Sequence, residues 1–343
     1  MAPSTSVLER ARRVHDLARE DPARIDIDDI TDVISSGEIS SEAHSVVLRT
    51  VRLLVNERPA VTPRLVAALS TALESDTTPD SLVLRCLREV ARADPDSVSD
   101  LSGAVSGRFD APALETRRAA TACGAEIAAV DPSAFVDAVP TLATLLAEVD
   151  ETVREGSVFI LAKVAHEYPE EVRPVVPQLL TDLGDQPESF QTCALSTVGA
   201  IASLYPMVGR DATDTFADLA RTGSPMVQTN AYGLLADVAQ THPDAVAPHG
   251  PVLRDGLESD ETLVVRNAAT AIANVGTAAT DVIPGLLECL DHADRIVRRN
   301  SARALGQLEA TVALEQLRRT ATEDPDEEVR SVATWSLEQV RTD

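Results

Sequence analysis

Branched aliphatic residues recur along this chain at a fixed distance ahead of a proline. The prolines are Pro22, Pro59, Pro95, Pro132, Pro169, Pro206 and Pro243, separated by 37, 36, 37, 37, 37 and 37 residues. Just upstream stands a column of Leu17, Leu54, Val90, Ile127, Val164, Ile201 and Val238. The next position holds Ala18, Val55, Ala91, Ala128, Ala165, Ala202 and Ala239. A third column of small residues, Ala120, Ser157, Ala194 and Ala231, lies two helical turns earlier. That spacing puts all three columns on one face of a helix, the face that must be buried. The small residues let neighbouring helices approach closely, so the pattern predicts helices that stack copy upon copy.

A second set of prolines, Pro63, Pro140, Pro177, Pro251 and Pro284, marks the start of another helix in each unit. Proline in the first turn gives up no hydrogen bond the helix would have made. Each unit therefore reads as a helical hairpin in which helix A leads into helix B. The first helix, from about Ser6 to Glu20, matches helix B alone, and Ser6 with Glu9 has the spacing of a capping box. It reads as a terminal half-repeat that covers the first core layer. After Pro243 the period shortens, with Arg266, Arg298 and Arg330 spaced 32 residues apart. The expected organisation is a single array over 1–343: a capping half-repeat at 1–22, units of about 37 residues over 23–246, and units of about 32 residues over 247–343.

The last units carry the local signatures DRIVRRNSARALGQL and DEEVRSVATWSLEQV. With these segments the chain resembles the HEAT-repeat family, in the short form first described in phycocyanobilin lyases. The 37-residue units are similar to the longer HEAT units of adaptin- and importin-like proteins. The resemblance implies an all-α fold, a right-handed α-α superhelix of stacked antiparallel helix pairs. It also implies a structural role for the pairs Asp150 with Arg154, Asp294 with Arg298, and Asp326 with Arg330. In that family the Asp sits in the turn between the helices and the Arg opens helix B, and the pair is expected to bond to its neighbours along the stack. Gln191 and Gln228 stand where Arg is expected in the middle units.

Composition narrows the function classes. Acidic residues number 55 against 30 basic ones, a formal net charge of −25, and Lys163 is the single lysine. An acidic surface could serve a basic partner. Purging lysine from the whole chain instead favours adaptation to high salt, and the composition resembles that of halophilic archaeal proteins. The same balance opposes general nucleic-acid binding, which leaves a basic footprint. Cys86, Cys123, Cys193 and Cys289 form no CxxC pair and read as core residues of a reducing compartment. With no signal-like N-terminus and no long apolar run, the expectation is a soluble cytoplasmic protein without membrane insertion.

No nucleophile elbow, phosphate-binding or dinucleotide-binding pattern is present. The six histidines scatter over different units, and His166-Glu167 is the one His-Glu dipeptide. Deoxyhypusine hydroxylases share this architecture and hold two irons with several such pairs, so one pair does not meet that requirement. The expectation is a non-catalytic protein with no cofactor and no metal.

A protein partner is then expected on the helix-B face opposite the buried columns, which usually lines the concave side of such arrays. Helical geometry puts Phe159, Lys163, Arg299, Arg303 and Trp335 on it, with Asp237 and Ala271. Phe159 and Trp335 are scarce aromatics suited to anchoring an interface. Arg295, Arg299 and Arg303 form a cationic stripe able to clamp carboxylates or phosphates. The competing reading is that Trp335 closes the last core layer and the arginines pair with Asp291, Asp294 and Glu309. Two further functions stay open: a nucleic-acid-associated binder using that stripe, and a subunit of a lyase- or hydroxylase-like enzyme. The sequence identifies neither the partner nor the oligomeric state.

Overall fold

The computed structural model describes residues 6–34, 40–75, 79–276 and 280–340. Among them every regular element is helical. The chain divides into two compact units, Met1–Val175 and Val176–Asp343. In the first unit the long second helices of the hairpins are α1 (Val7–Glu20), α2 (Ser41–Glu57), α3 (Asp80–Ala93), α4 (Leu114–Ala128) and α5 (Glu151–Glu167). In the second they are α6 (Glu188–Ala202), α7 (Pro225–Thr241), α8 (Thr262–Val275), α9 (Arg295–Gln307) and α10 (Glu327–Val340). Within each unit every one of these helices packs on the next, α1 through α5 and α6 through α10.

Local chemistry sets the helix ends. The Glu9 amide donates to Ser6 Oγ at 3.2 Å while the Ser6 amide donates to the Glu9 carboxylate at 3.0 Å, completing the capping box. Ser40, Asp150, Ser224 and Asp294 cap α2, α5, α7 and α9 through their side chains. At the other end, the residue before each column proline leaves the helical region. Asp21 (φ −154°), Asp94 (φ −150°) and His242 (φ −134°) all lie outside it. The proline ring bars its predecessor from helical geometry, so the period of the prolines is also the period of the turns.

The first arm of each hairpin differs from the single helix that the sequence predicts. It is broken into a short opening turn of helix and a second short helix, which in several units starts at a further proline. Pro132–Ala138 precedes Val139–Leu145, and Pro243–Val246 with Ala247–His249 precedes Gly250–Leu257. A second proline removes a further amide donor, but the break does not depend on it, since Pro95–Leu101 gives way to Ser102–Ser106 and Pro206–Asp211 to Thr213–Thr222 without one.

The aliphatic columns form the core. Leu54, Val90, Ile127, Val164, Ile201 and Val238 are buried, as are Ala18, Val55, Ala91, Ala128, Ala165 and Ala239, whereas Leu17 and Ala202 are partly exposed. Ala120, Ser157, Ala194 and Ala231 are fully buried. Close approach is tight between α9 and α10, where a Cβ on Gly306 would sit 2.7 Å from that of Ser336. Ser336 Oγ there donates to the Ala302 carbonyl at 2.7 Å, tying the two helices together. Cys86, Cys123 and Cys289 are buried and Cys193 is partly so; desolvation pushes the Cys123 thiol up to about 12. These are packing residues rather than reactive thiols.

Candidate interaction surface

The arginine that opens helix B folds back on its own turn. Arg154 donates to the carbonyls of Glu148 (2.7 Å) and Val149 (2.8 Å), and Arg298 to those of His292 (2.9 Å) and Ala293 (3.0 Å). Arg117 holds Ala111 and Pro112 in the same way, and Arg330 holds Asp324. A guanidinium fork satisfies carbonyls that a tight turn leaves without amide partners. Gln191 does the same with its amide, donating to Leu183 and Gly184 at 3.1 Å each. Its departure from the pattern keeps the function of the position.

The paired aspartates serve two purposes. Asp150, Asp294 and Asp326 each cap their helix and each accept from an arginine of the helix before: Arg118 (2.6 Å), Arg266 (2.5 Å) and Arg295 (3.2 Å). The hydrogen bond from Arg118, helped by the Val153 amide, holds the Asp150 carboxyl below its usual range. For Asp294, burial works the other way but is outweighed by Arg266 and two backbone amides. Arg298 also grips Asp324 with both arms of its fork, at 2.7 and 3.1 Å.

Outward from the core columns, the second helices present a ribbon. In the first unit it is filled with ion pairs. Arg12 pairs with Glu42, Arg52 with Glu89 (2.6 Å), Arg85 with Glu115, and Arg88 and Arg92 with Glu126 (3.1 and 2.8 Å). Each arginine lies on the earlier helix and each carboxylate on the next. At the end of this unit Phe159 is half-buried, with the Lys163 ammonium 5.2 Å from its ring centroid, a cation–π contact.

The cationic stripe of the second unit is mostly consumed within the protein, and not by the residues expected. Arg295 reaches Asp326 and, at 3.9 Å, Glu328, while Arg299 binds Glu328 at 2.7 Å. The expected Asp291 is held by Arg319 and Asp294 by Arg266. Stacking α9 on α10 brings the next helix's carboxylates within reach, which spacing along one helix does not reveal. Arg303 is exposed and makes no ion pair among the described residues. Trp335 is 38% exposed at the equivalent position of α10.

Between α6 and α8 the ribbon is nearly neutral. Ala271, expected to face outward, is fully buried. Asn267 and Asn274 on either side of it donate to the Thr229 and Ala236 carbonyls of α7, at 3.1 and 3.2 Å, and draw the helices together over it. Asp237 is the charged residue of this stretch, and no cation pairs with it among the described residues. No group of three or more His, Cys, Asp or Glu side chains among the described residues could hold a metal ion, and no described helix is long and apolar enough to cross a membrane.

Residues 250–338 match the family model for HEAT repeats. No curated protein matches the chain in sequence. Among solved structures, the crystal structure of an engineered protein is 24% identical, with 70% of this chain and 96% of that one covered and a TM-score of 0.40.

Proposed function

We propose that this chain, whose residues 250–338 match HEAT repeats, is a non-catalytic HEAT-repeat scaffold that holds a protein partner along the ribbon of its second helices. HEAT repeats serve in general as protein-interaction scaffolds. The observation that carries the ribbon reading is the pairing of exposed Trp335 with unpaired Arg303 at equivalent positions of two packed helices. An aromatic anchor beside a cation without a partner is the kind of group that concentrates binding energy. In the first unit Phe159 and Lys163 also place an aromatic and a cation together, there in contact with each other. Arg295 and Arg299 act chiefly through Asp326 and Glu328, so they contribute by holding α10 in place.

Nucleic-acid binding through the stripe is the weaker reading, because two of its three arginines are already neutralised and the net charge is −25. A lyase- or hydroxylase-like role has no metal-ligand cluster among the described residues to support it. The place of action under this proposal is the cytoplasm, with the salt-adapted composition keeping an acidic surface hydrated.

The test is affinity purification from native extract at high salt followed by mass spectrometry, in parallel for wild type, Trp335→Ala and Arg303→Glu. The expected result is a partner retained by wild type and weakened about thirtyfold by Trp335→Ala, the usual effect of truncating an anchor. Thermal stability should be nearly unchanged. Equal retention by both variants would rule out this part of the ribbon.

A further inference from the structure

Glu89 and Glu126 stand in the same register as Asp237, each six residues before its column proline. Their arginines come from fixed places. Glu89 takes Arg52 from the preceding helix and Arg92 from its own, and Glu126 takes Arg88 and Arg92 from the preceding helix. Carried to Asp237 at the same separations, those four places fall on Ala200, Gln240, Gly199 and Ser203. None is a cation. Three of them, Gly199, Ser203 and Gln240, line a cleft of about 240 Å³ between α6 and α7, with Asp237, Thr241 and Pro206 completing its wall.

We infer that this cleft receives an arginine side chain of the bound protein, whose guanidinium takes the seat that the first unit fills with its own arginines. The inference rests on the scaffold reading and names the chemistry of the partner at this point. Small residues leave the room, and the carboxylate supplies the charge. The two hydroxyls of the wall have the right polarity as well. Ser203 Oγ donates to the Ala200 carbonyl (2.7 Å) and Thr241 Oγ1 to that of Val238 (3.4 Å). Both hydroxyl hydrogens are thus directed into the helices, and lone pairs face the cleft. These hydroxyls present acceptors, and Gln240 adds an amide carbonyl beside its own amide donor, which together with the carboxylate suits a guanidinium, a group with five donors and no acceptor. Asp237 is exposed to solvent on one side, and partial desolvation by the packed helices raises its carboxyl above the usual value. An incoming cation removes that penalty.

The experiment titrates the full chain with N-acetyl-arginine N-methylamide and, separately, with the neutral citrulline counterpart, while the backbone amides of Gly199, Ser203 and Thr241 are followed by NMR. The expected result is saturable shifts with the arginine compound and none with citrulline. Asp237→Asn should weaken the arginine compound about tenfold, the effect of losing a charge-assisted contact. Ser203→Arg, which restores the arrangement of Arg92 with Glu126, should abolish binding by occupying the seat, and should lower the Asp237 carboxyl pKa. Equal shifts with citrulline, unsaturable shifts, or undiminished binding by Asp237→Asn would each overturn the inference. The probe is used without the protein partner, so a failed cleft and a failed scaffold give different results. Arginine binding with no partner captured keeps the cleft and removes the scaffold. A partner captured through Trp335 with no arginine binding does the reverse.

Discussion

The ribbon from α1 to α5 and the ribbon from α6 to α8 are built from the same repeat, yet their electrostatics are opposite in kind. The first is stitched by Arg12–Glu42, Arg52–Glu89, Arg85–Glu115, Arg88–Glu126 and Arg118–Asp150. The second presents Thr192, Ser196, Ala200, Thr229 and Gly233, with Asp237 as its lone charge. A surface whose charges are already paired loses those pairs or their hydration when it is covered, so it resists a partner. A neutral stretch with one unanswered carboxylate meets a partner at lower cost. The difference teaches that charged residues on such an array can be spent on holding its own helices together, and under the proposal made above it is the missing arginines that point to the partner's seat.

The comparison can be probed by removing pairs from each part, and the largest effect is expected where a pair is least exposed. Arg298→Ala should destabilise the second unit by about 3 kcal/mol, because Asp324, only 5% exposed, is left without its bidentate partner. Chemical denaturation with a probe in each unit would read this, and a loss below about 1 kcal/mol would refute the buried-pair account. Gly306→Val should cost roughly 1–3 kcal/mol by forcing α9 from Ser336, seen as a lower melting temperature. Glu89→Gln should cost about 1 kcal/mol at neutral pH, since Arg52 and Arg92 lose a shared acceptor that is mostly shielded from water.

Smaller still, and opposite in sign, is the effect at Asp237. Glu89, Asp150, Asp294, Asp324 and Asp326 have carboxyl pKa values below their ordinary ones. Their contribution is fully present above the unfolded values near 4, and drains away as pH falls through the lower folded values. Asp237 is raised, so its contribution exists at low pH and is lost as pH rises through the folded value. Asp237→Asn should therefore leave stability unchanged or slightly higher at neutral pH, whereas Glu89→Gln lowers it. Melting curves of the two variants at pH 7 and pH 4 would show the mirrored signs, and parallel losses would contradict them.

Much of the fold was legible because it is periodic. The prolines and aliphatic columns record a helix that ends and a face that is buried, both local consequences of residue type. The broken first arms were less legible, since both prolines of Pro243 and Pro251 fit a helix start when each is considered alone. At the surface, outward positions such as Trp335 and Arg303 follow from helical geometry. Which arginines are consumed does not, because Arg299 finds Glu328 only when helices stack. Ala271 failed for the same reason, its burial arising from two asparagines that reach a neighbouring helix. The cleft at Asp237 had a sequence signal in the 37-residue register that separates Arg52 from Glu89 and Ala200 from Asp237. Seeing it requires knowing first that the register carries an ion pair.

The most direct measurement compares partner affinity in two variants that exchange the character of the two regions. Ala200→Arg places a guanidinium where Arg52 stands relative to Glu89, answering Asp237 from within the protein, and Arg52→Ala removes that pair from the first unit. With the captured partner titrated against each and the emission of Trp335, the sole tryptophan, as the signal, Ala200→Arg should weaken binding at least about tenfold, while Arg52→Ala leaves it unchanged. Undiminished binding by Ala200→Arg, with the loss falling instead on Arg52→Ala, would place the partner on the salted ribbon and contradict the account.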